Sequence, residues 1–173
     1  MDTIKYNTKL KAAGDEYKKI VFWNRFMRNP VETILSLIPA AIAIAMMCAK
    51  LFNIYLGVIY AACFAYPIYI FAFQFNNAVK YHLKHRNPSE DAPCIITLMD
   101  SGILADIPDH DIVTTYTWDS FTTIYCKFGY YMFFDGSKMI VMLRIADMSE
   151  EQQKAAPEYI KSHVNQNHCK ITF

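Results

Sequence analysis

"TILSLIPAAIAIAMMCAKLFNIYLGVIYAACFAYPIYIFAFQFNNAV", residues 33–79, holds a single charged side chain, Lys50. A helix needs about 20 apolar residues to cross the hydrocarbon of a bilayer. Glu32 to Lys50 is just long enough, and Leu51 to Phe75 leaves room for tilt. The stretch is therefore read as a transmembrane helical hairpin over 31–80, with spans at about 31–50 and 52–76. "CAKLFN" leaves room only for a tight turn between them. A pair of soluble core helices is the alternative, but two long uncharged runs in succession are rare in soluble folds. Asn29 is expected to cap the first span, with Pro30 at the first helical position and Glu32 at the positive end of the helix dipole. Pro39 and Pro67 lie inside the spans, where each removes a backbone donor and favours a kink.

The flanks orient the hairpin. Lys11, Lys18, Lys19, Arg25 and Arg28 precede it, Lys80, Lys84 and Arg86 follow it, and the turn has only Lys50. The positive-inside rule places both ends in the cytoplasm of a cell-membrane protein. Trp23, with Phe22 and Phe26, alternates with basic residues and suits a segment at headgroup level. Trp23, Arg25, Arg28, Lys80, Lys84 and Arg86 are accordingly the expected interface anchors. Beside a span, lipid explains such basic and aromatic flanks more simply than nucleic acid does. The net charge of +1 provides no global field to attract nucleic acid either. No apolar h-region opens the chain.

The rest of the chain reads as one small domain. "TIKYNTKL" alternates like a strand, and "GDEYKKIVFWNRF" like a helix leading to the membrane, which together make an N-terminal segment of 1–30. Residues 81–93, including "RNPSEDAP", form a polar linker. Residues 94–173 carry short strands at regular spacing: "CIITLM", "ILADI", "IVTTYTW", "FTTIYCKF", "GYYMFF" and, after the hairpin turn "DGS", "KMIVMLR". An antiparallel sheet folded into a sandwich or open barrel follows. Ser149 and Gln152 form a capping box for a helix with Ala156, Ile160 and Val164 on its apolar face. The N-terminal strand, residues 3–10, can join this sheet because both hairpin ends are on one side. The fold class is thus α+β: a membrane hairpin plus a small antiparallel β-sheet domain capped by a C-terminal helix.

Chemistry-bearing motifs are sparse. No phosphate-binding loop, H-E-x-x-H or G-x-S-x-G is present. Cys48, Cys63, Cys94, Cys126 and Cys169 form no C-x-x-C pair, so five reduced thiols are expected. His82 and His85, near Glu90 and Asp91, fall short of a metal ligand set. Asp106, Asp109 and Asp111 cluster without the glycine and glutamate of a calcium loop, and read as a solvated loop. His163, His168 and Cys169 read as a solvated tail, and Asp100 and Ser101 as a turn. No Asp, Glu, Lys, Arg or His lies between Thr33 and Ala49 or between Leu51 and Val79, which counts against a proton relay or a path for a charged substrate. In "YTWDSFTTI", residues 116–124, Asp119 or Ser120 is expected to accept a backbone N–H in a turn. Trp118 is expected to be structural, plugging the open end of the barrel under the last helix.

The layout resembles the YcxB-like family of bacterial membrane proteins. The matching residues are "GDEYKKIVFWNRFMRNP" (14–30), "ITLMDSGI" (96–103), "YTWDSFTTIYCKFGYYMFF" (116–134) and "MIVMLRIADMSEEQ" (139–152). The chain departs from the family at Leu143, where the family often has proline, while Arg144 keeps a basic residue. The resemblance implies an integral membrane protein whose cytoplasmic domain is pleckstrin-homology-like, and implies no known activity. The expected function is non-enzymatic and cofactor-free: binding of a protein, a peptide or a lipid headgroup. Lys127, Lys138 and Arg144 are the candidate headgroup contacts, against a reading as ordinary surface charges. Expected partners are membrane lipids, an unidentified protein and a second copy, since "AAIAIA" and "GVIYAACFA" space small residues at helical intervals. The rival is a transporter, or its accessory subunit, formed by oligomerised hairpins.

Overall fold

The computed structural model describes residues 3–9, 14–51, 53–85, 92–165 and 167–172. The chain divides into two compact units, residues 1–16 with 87–173, and residues 17–86. The class is α+β, with two long apolar helices and sheets that are mainly antiparallel.

In the helical unit, α1 (Gly14–Phe22) runs into a π-helical turn, Trp23–Arg28. α2 (Val31–Cys48) follows, then α3 (Ile54–Ile68), a second π-helical turn at Tyr69–Gln74, and α4 (Phe75–Lys84). α2 has a mean hydropathy of 2.0 over 18 residues, and Ile54–Tyr81 has 1.9 over 28 residues. Both are long and apolar enough to cross a membrane. At 1.5 Å per residue the second measures about 42 Å, longer than the hydrocarbon itself. It carries on into Lys84, so the segment read as a linker from residue 81 begins as helix.

Most of the apolar side chains on these helices point outward. Ile34 and Leu35 are 58% exposed and Val58 is 71% exposed. The inner contacts of the hairpin fall on small or polar positions, with Ser36 and Ala43 buried seven residues apart on α2 and Tyr60 buried on α3. Ala43 therefore serves packing within the hairpin. The turn closes when the Tyr60 hydroxyl donates to the Leu51 carbonyl. Asn53 caps α3 by accepting from the Leu56 amide at 2.9 Å.

Asn29 is not a side-chain cap. Pro30 stands at the start of α2 with no capping bond, and the Asn29 amide faces back toward the Asn24 carbonyl at 3.5 Å. The two π turns, each with one residue too many per turn, contribute to a shared aromatic cluster. Phe26 lies 4.7 Å from Phe71 and 5.6 Å from Phe75, and Phe22 lies 5.3 Å from Phe75, centroid to centroid. Offset and edge-on pairs of this kind add packing energy beyond burial.

The other unit is two four-stranded sheets around one core. The first sheet runs β1 (Ile4–Lys9), β2 (Pro93–Met99), β3 (Gly102–Ile107) and β4 (Ile112–Thr117), all antiparallel. Alternation places Ile4, Tyr6 and Thr8 inward, opposite Leu98, Ile96 and Cys94. The β2–β3 turn requires Gly102, where φ is +151° and a Cβ would lie 2.0 Å from the Tyr116 carbonyl oxygen.

The second sheet runs β7 (Lys138–Arg144), β6 (Tyr130–Asp135), β5 (Thr123–Lys127) and β8 (Lys170–Thr172). β6 is buried on both faces: Tyr131 and Phe133 join the main core, and Met132 and Phe134 are 0% exposed on the other face. The expectation of an all-antiparallel sheet is corrected at β8, which pairs parallel with β5. Of the residues read as a solvated tail, His163 belongs to the helix before this strand and Cys169, immediately ahead of β8, is buried in the core. α5 (Glu150–His163) carries the expected capping box and buries Ala156, Tyr159 and Ile160.

The core imposes a pH dependence. Burial pushes the Cys94 and Cys169 thiols from an ordinary 9.0 up to about 11, and the Tyr131 phenol from 10.0 up to about 12. A raised pKa favours the neutral group in the folded state. The stabilisation is therefore complete below the unfolded pKa and fades as pH climbs through the folded one. We expect urea unfolding of the sheet domain to show a steep decline in stability between about pH 9 and 12, the window over which these groups lose their contribution. A flat profile across that window would mean that these groups are solvated.

Candidate functional site

A cleft of about 350 Å³ opens in the sheet unit, lined by Asn7, Thr8, Lys9, Glu16, Tyr130, Arg144 and neighbours. Four elements build it: β1, the first turn of α1, the start of β6 and the end of β7. The Tyr130 hydroxyl donates to Glu16 Oε2. Arg144 donates to Glu16 Oε1 and to Asp147 Oδ1, each at 3.4 Å. Thr8 Oγ1 donates to Asp147 Oδ2 at 2.6 Å. Burial, then the bond to Glu16, raises the Tyr130 pKa and keeps the phenol a donor. Tyr130, Glu16 and Asp147 in turn favour the charged form of Arg144. The outcome is a cation held between two carboxylates.

This arrangement bears on the candidate headgroup contacts. Lys127 and Arg144 both stand opposite Tyr130 in the strand register, whereas Lys138 pairs with Asp135 at the far end of β6. Five residues of strand separate the two ends, or about 17 Å. The three cations therefore do not converge. Arg144, compensated by two acids, presents no net positive charge to an anion. Among the interface anchors, Trp23 is only 7% exposed and is buried within the chain. Arg25 lies over the Phe26 ring at 5.4 Å and pairs with Glu32. Arg28 donates to Asn24 Oδ1 at 3.3 Å. Lys80 and Lys84 are exposed on α4, and Arg86 lies outside the described residues.

A second cluster sits at the other end of the sheet unit, where Trp118 opens a 3-10 turn, Trp118–Ser120. It is 4% exposed and donates its indole N–H to the Met99 carbonyl at 2.9 Å. Its ring lies 6.4 Å from Tyr159 and 5.9 Å from His163 on α5. In this turn the Ser120 hydroxyl donates to the Thr117 carbonyl at 2.7 Å.

Asp100 does more than turn the chain. Its Oδ1 lies 3.1 Å from the Tyr159 hydroxyl and 3.0 Å from His163 Nε2. Ser162 Oγ is 3.0 Å from His163 Nδ1, which completes a serine, histidine and aspartate series. It lacks nucleophile geometry. His163 Nδ1 is 2.8 Å from the Tyr159 carbonyl, and a ring nitrogen that donates there cannot take the serine proton. Ser162 itself donates to the same carbonyl at 2.9 Å. The series clasps the last turn of α5 onto the β2–β3 turn, over Trp118.

Among the described residues, no three His, Cys, Asp or Glu side chains group as a metal site. His85 is occupied with the Tyr81 ring and carbonyl, and Glu90 and Asp91 lie outside the described residues. Asp106, Asp109 and Asp111 remain on β3 and in the turn before β4. The cleft and the Asp100 clasp had little signal in sequence: Arg144–Asp147 and Ser162–His163 are local pairs, but Thr8, Glu16 and Asp100 reach them only through the fold. Comparison with family models, curated proteins and solved structures found no match.

Proposed function

We propose that the chain is a membrane-anchored binding module, with the α2–α3 hairpin across the cell membrane and the two-sheet domain presented to a polypeptide in the cytoplasm. The exposed apolar surface of two spanning-length helices supports the anchor. Two apolar helices, mainly antiparallel sheets and a helix after β7 support the YcxB-like, pleckstrin-homology-like reading. The observation that carries the choice of partner is the state of the candidate cations. Lys127 and Lys138 lie at opposite ends of one sheet and Arg144 is held by Glu16 and Asp147. That distribution favours a protein or peptide over an anionic headgroup.

The test uses the full chain in native membranes, with a photo-crosslinking side chain placed in turn at Val113, Lys127, Lys138 and Lys161. A discrete, saturable adduct with another polypeptide is expected from at least one position. It should persist in excess inositol hexakisphosphate, a soluble headgroup probe. Loss of the adduct to that probe would move the reading to lipid headgroups. Absence of any adduct, together with hairpin-dependent solute flux in liposomes, would replace it with transport.

A further inference from the structure

Sheet edges present rows of unpaired N–H and C=O groups, and proteins usually guard them with lysine, proline, bulges or brevity. Three of the four edges among the described residues are guarded in this way. β1 carries exposed Lys5 and Lys9. β7 meets β6 at an irregular register between Phe133 and Phe134 and ends in Lys138 and Arg144. β8 has three residues.

β4 has none of these devices. Its sequence is IVTTYT, six residues without charge or proline, and it pairs on one side only, with β3. Backbone groups point alternately to either side of an antiparallel strand, so every second residue of β4 offers a donor and an acceptor outward. Ile112 is 40% exposed and Val113 is 63% exposed, so β-branched side chains flank this open ladder.

The electrostatics select the occupant. From residue 87 to residue 126 the sequence contains no lysine and no arginine. Asp109 and Asp111 stand immediately before β4, Asp119 stands just after it, and Asp106 lies opposite Val113 on β3. A second copy laid antiparallel on this edge would set its Asp119 against Asp111, a like-charge contact at each end. A strand with lysine or arginine at its ends meets an acid at both ends, whichever way it runs.

We infer that β4 is a docking edge for an extended, basic-flanked segment of a partner polypeptide, which adds to the sheet as a fifth strand. This rests on the binding-module reading and names its partner class. Main-chain pairing provides the affinity, Ile112 and Val113 provide apolar contact, and the aspartates provide charge selection.

The test presents the full chain in phosphatidylcholine nanodiscs with two displayed heptapeptide libraries. Both have β-branched residues at alternate interior positions; one has lysine or arginine at both ends, the other glutamate. The basic library should be enriched. Its best members should lose at least tenfold in affinity when N-methylated on alternate residues. They should lose severalfold on Asp109→Asn with Asp111→Asn, substitutions that the left-handed backbone of Asp111, φ 51°, accepts. Equal enrichment of the two libraries, or hits that ignore N-methylation, would overturn the inference. If so, crosslinks to a polypeptide at Lys127, Lys138 or Lys161 would leave the binding-module reading standing.

Discussion

Trp118→Ala should unfold the sheet domain or bring it close to unfolding, while the helical hairpin stays inserted. The ring is 4% exposed and packs against Phe121, Phe133, Tyr159 and His163 at 5.9 to 6.4 Å. Truncating a buried tryptophan costs about 3–5 kcal/mol through lost transfer energy and the cavity left behind. The Met99 carbonyl also loses its donor, which adds a desolvation penalty of about 1–3 kcal/mol if water cannot replace it. A small domain has only about 5–15 kcal/mol in total. Trp118→Phe keeps most of the packing and loses the N–H, so it should fall between wild type and alanine. Urea unfolding followed by near-ultraviolet circular dichroism measures all three. If the alanine variant unfolds at the wild-type midpoint, Trp118 is not part of the core and is available for binding.

Removing residues 3–9 should be as damaging, although these residues and the rest of the domain are separated in sequence by the whole hairpin. β1 makes six pairings with β2, and Ile4, Tyr6 and Thr8 are buried. Burial of Ile4 alone is worth about 1.5–3 kcal/mol, and the loss bares the backbone of β2. A chain of residues 87–173 alone should thus be unfolded by circular dichroism and quickly proteolysed. Joining residues 1–16 to residue 87 through a flexible linker should restore a cooperative transition. A stable, cooperative 87–173 fragment would show that β1 is an accessory strand.

How much of this was legible depends on the range over which the signal acts. The hairpin could be read because its signal is local and long, an uncharged run broken only at Lys50. Strands β2 to β7 were legible from alternation and turn residues, and α5 from its capping box. β8 was not, because three residues carry no periodicity and a parallel partner leaves no turn to read. The π turns at Trp23–Arg28 and Tyr69–Gln74 have no residue signature; their aromatic residues also fit an ordinary helix. The cleft was invisible for another reason. Glu16 meets Tyr130 across 114 positions and Arg144 across 128, contacts onto the second sheet that no local pattern announces. Arg144 looked like an uncommitted cation because Glu16 reaches it across 128 positions; Asp147, three residues on, is its local partner.

The proposed topology, α2 and α3 across a membrane with the sheet domain in the cytoplasm, sets which positions a reagent outside the cell can reach. Cys94 is the wrong probe, since it is 1% exposed, and Cys169 is 3% exposed; both can remain while Cys48, Cys63 and Cys126 are replaced by alanine. Single cysteines are then placed at Lys50, in the turn between the two helices, and at Lys138, exposed at the β6–β7 turn. A membrane-impermeant maleimide should label position 50 in intact cells and position 138 only after permeabilisation. Labelling of both positions only after permeabilisation, with the chain recovered in the soluble fraction, would rule out the membrane anchor.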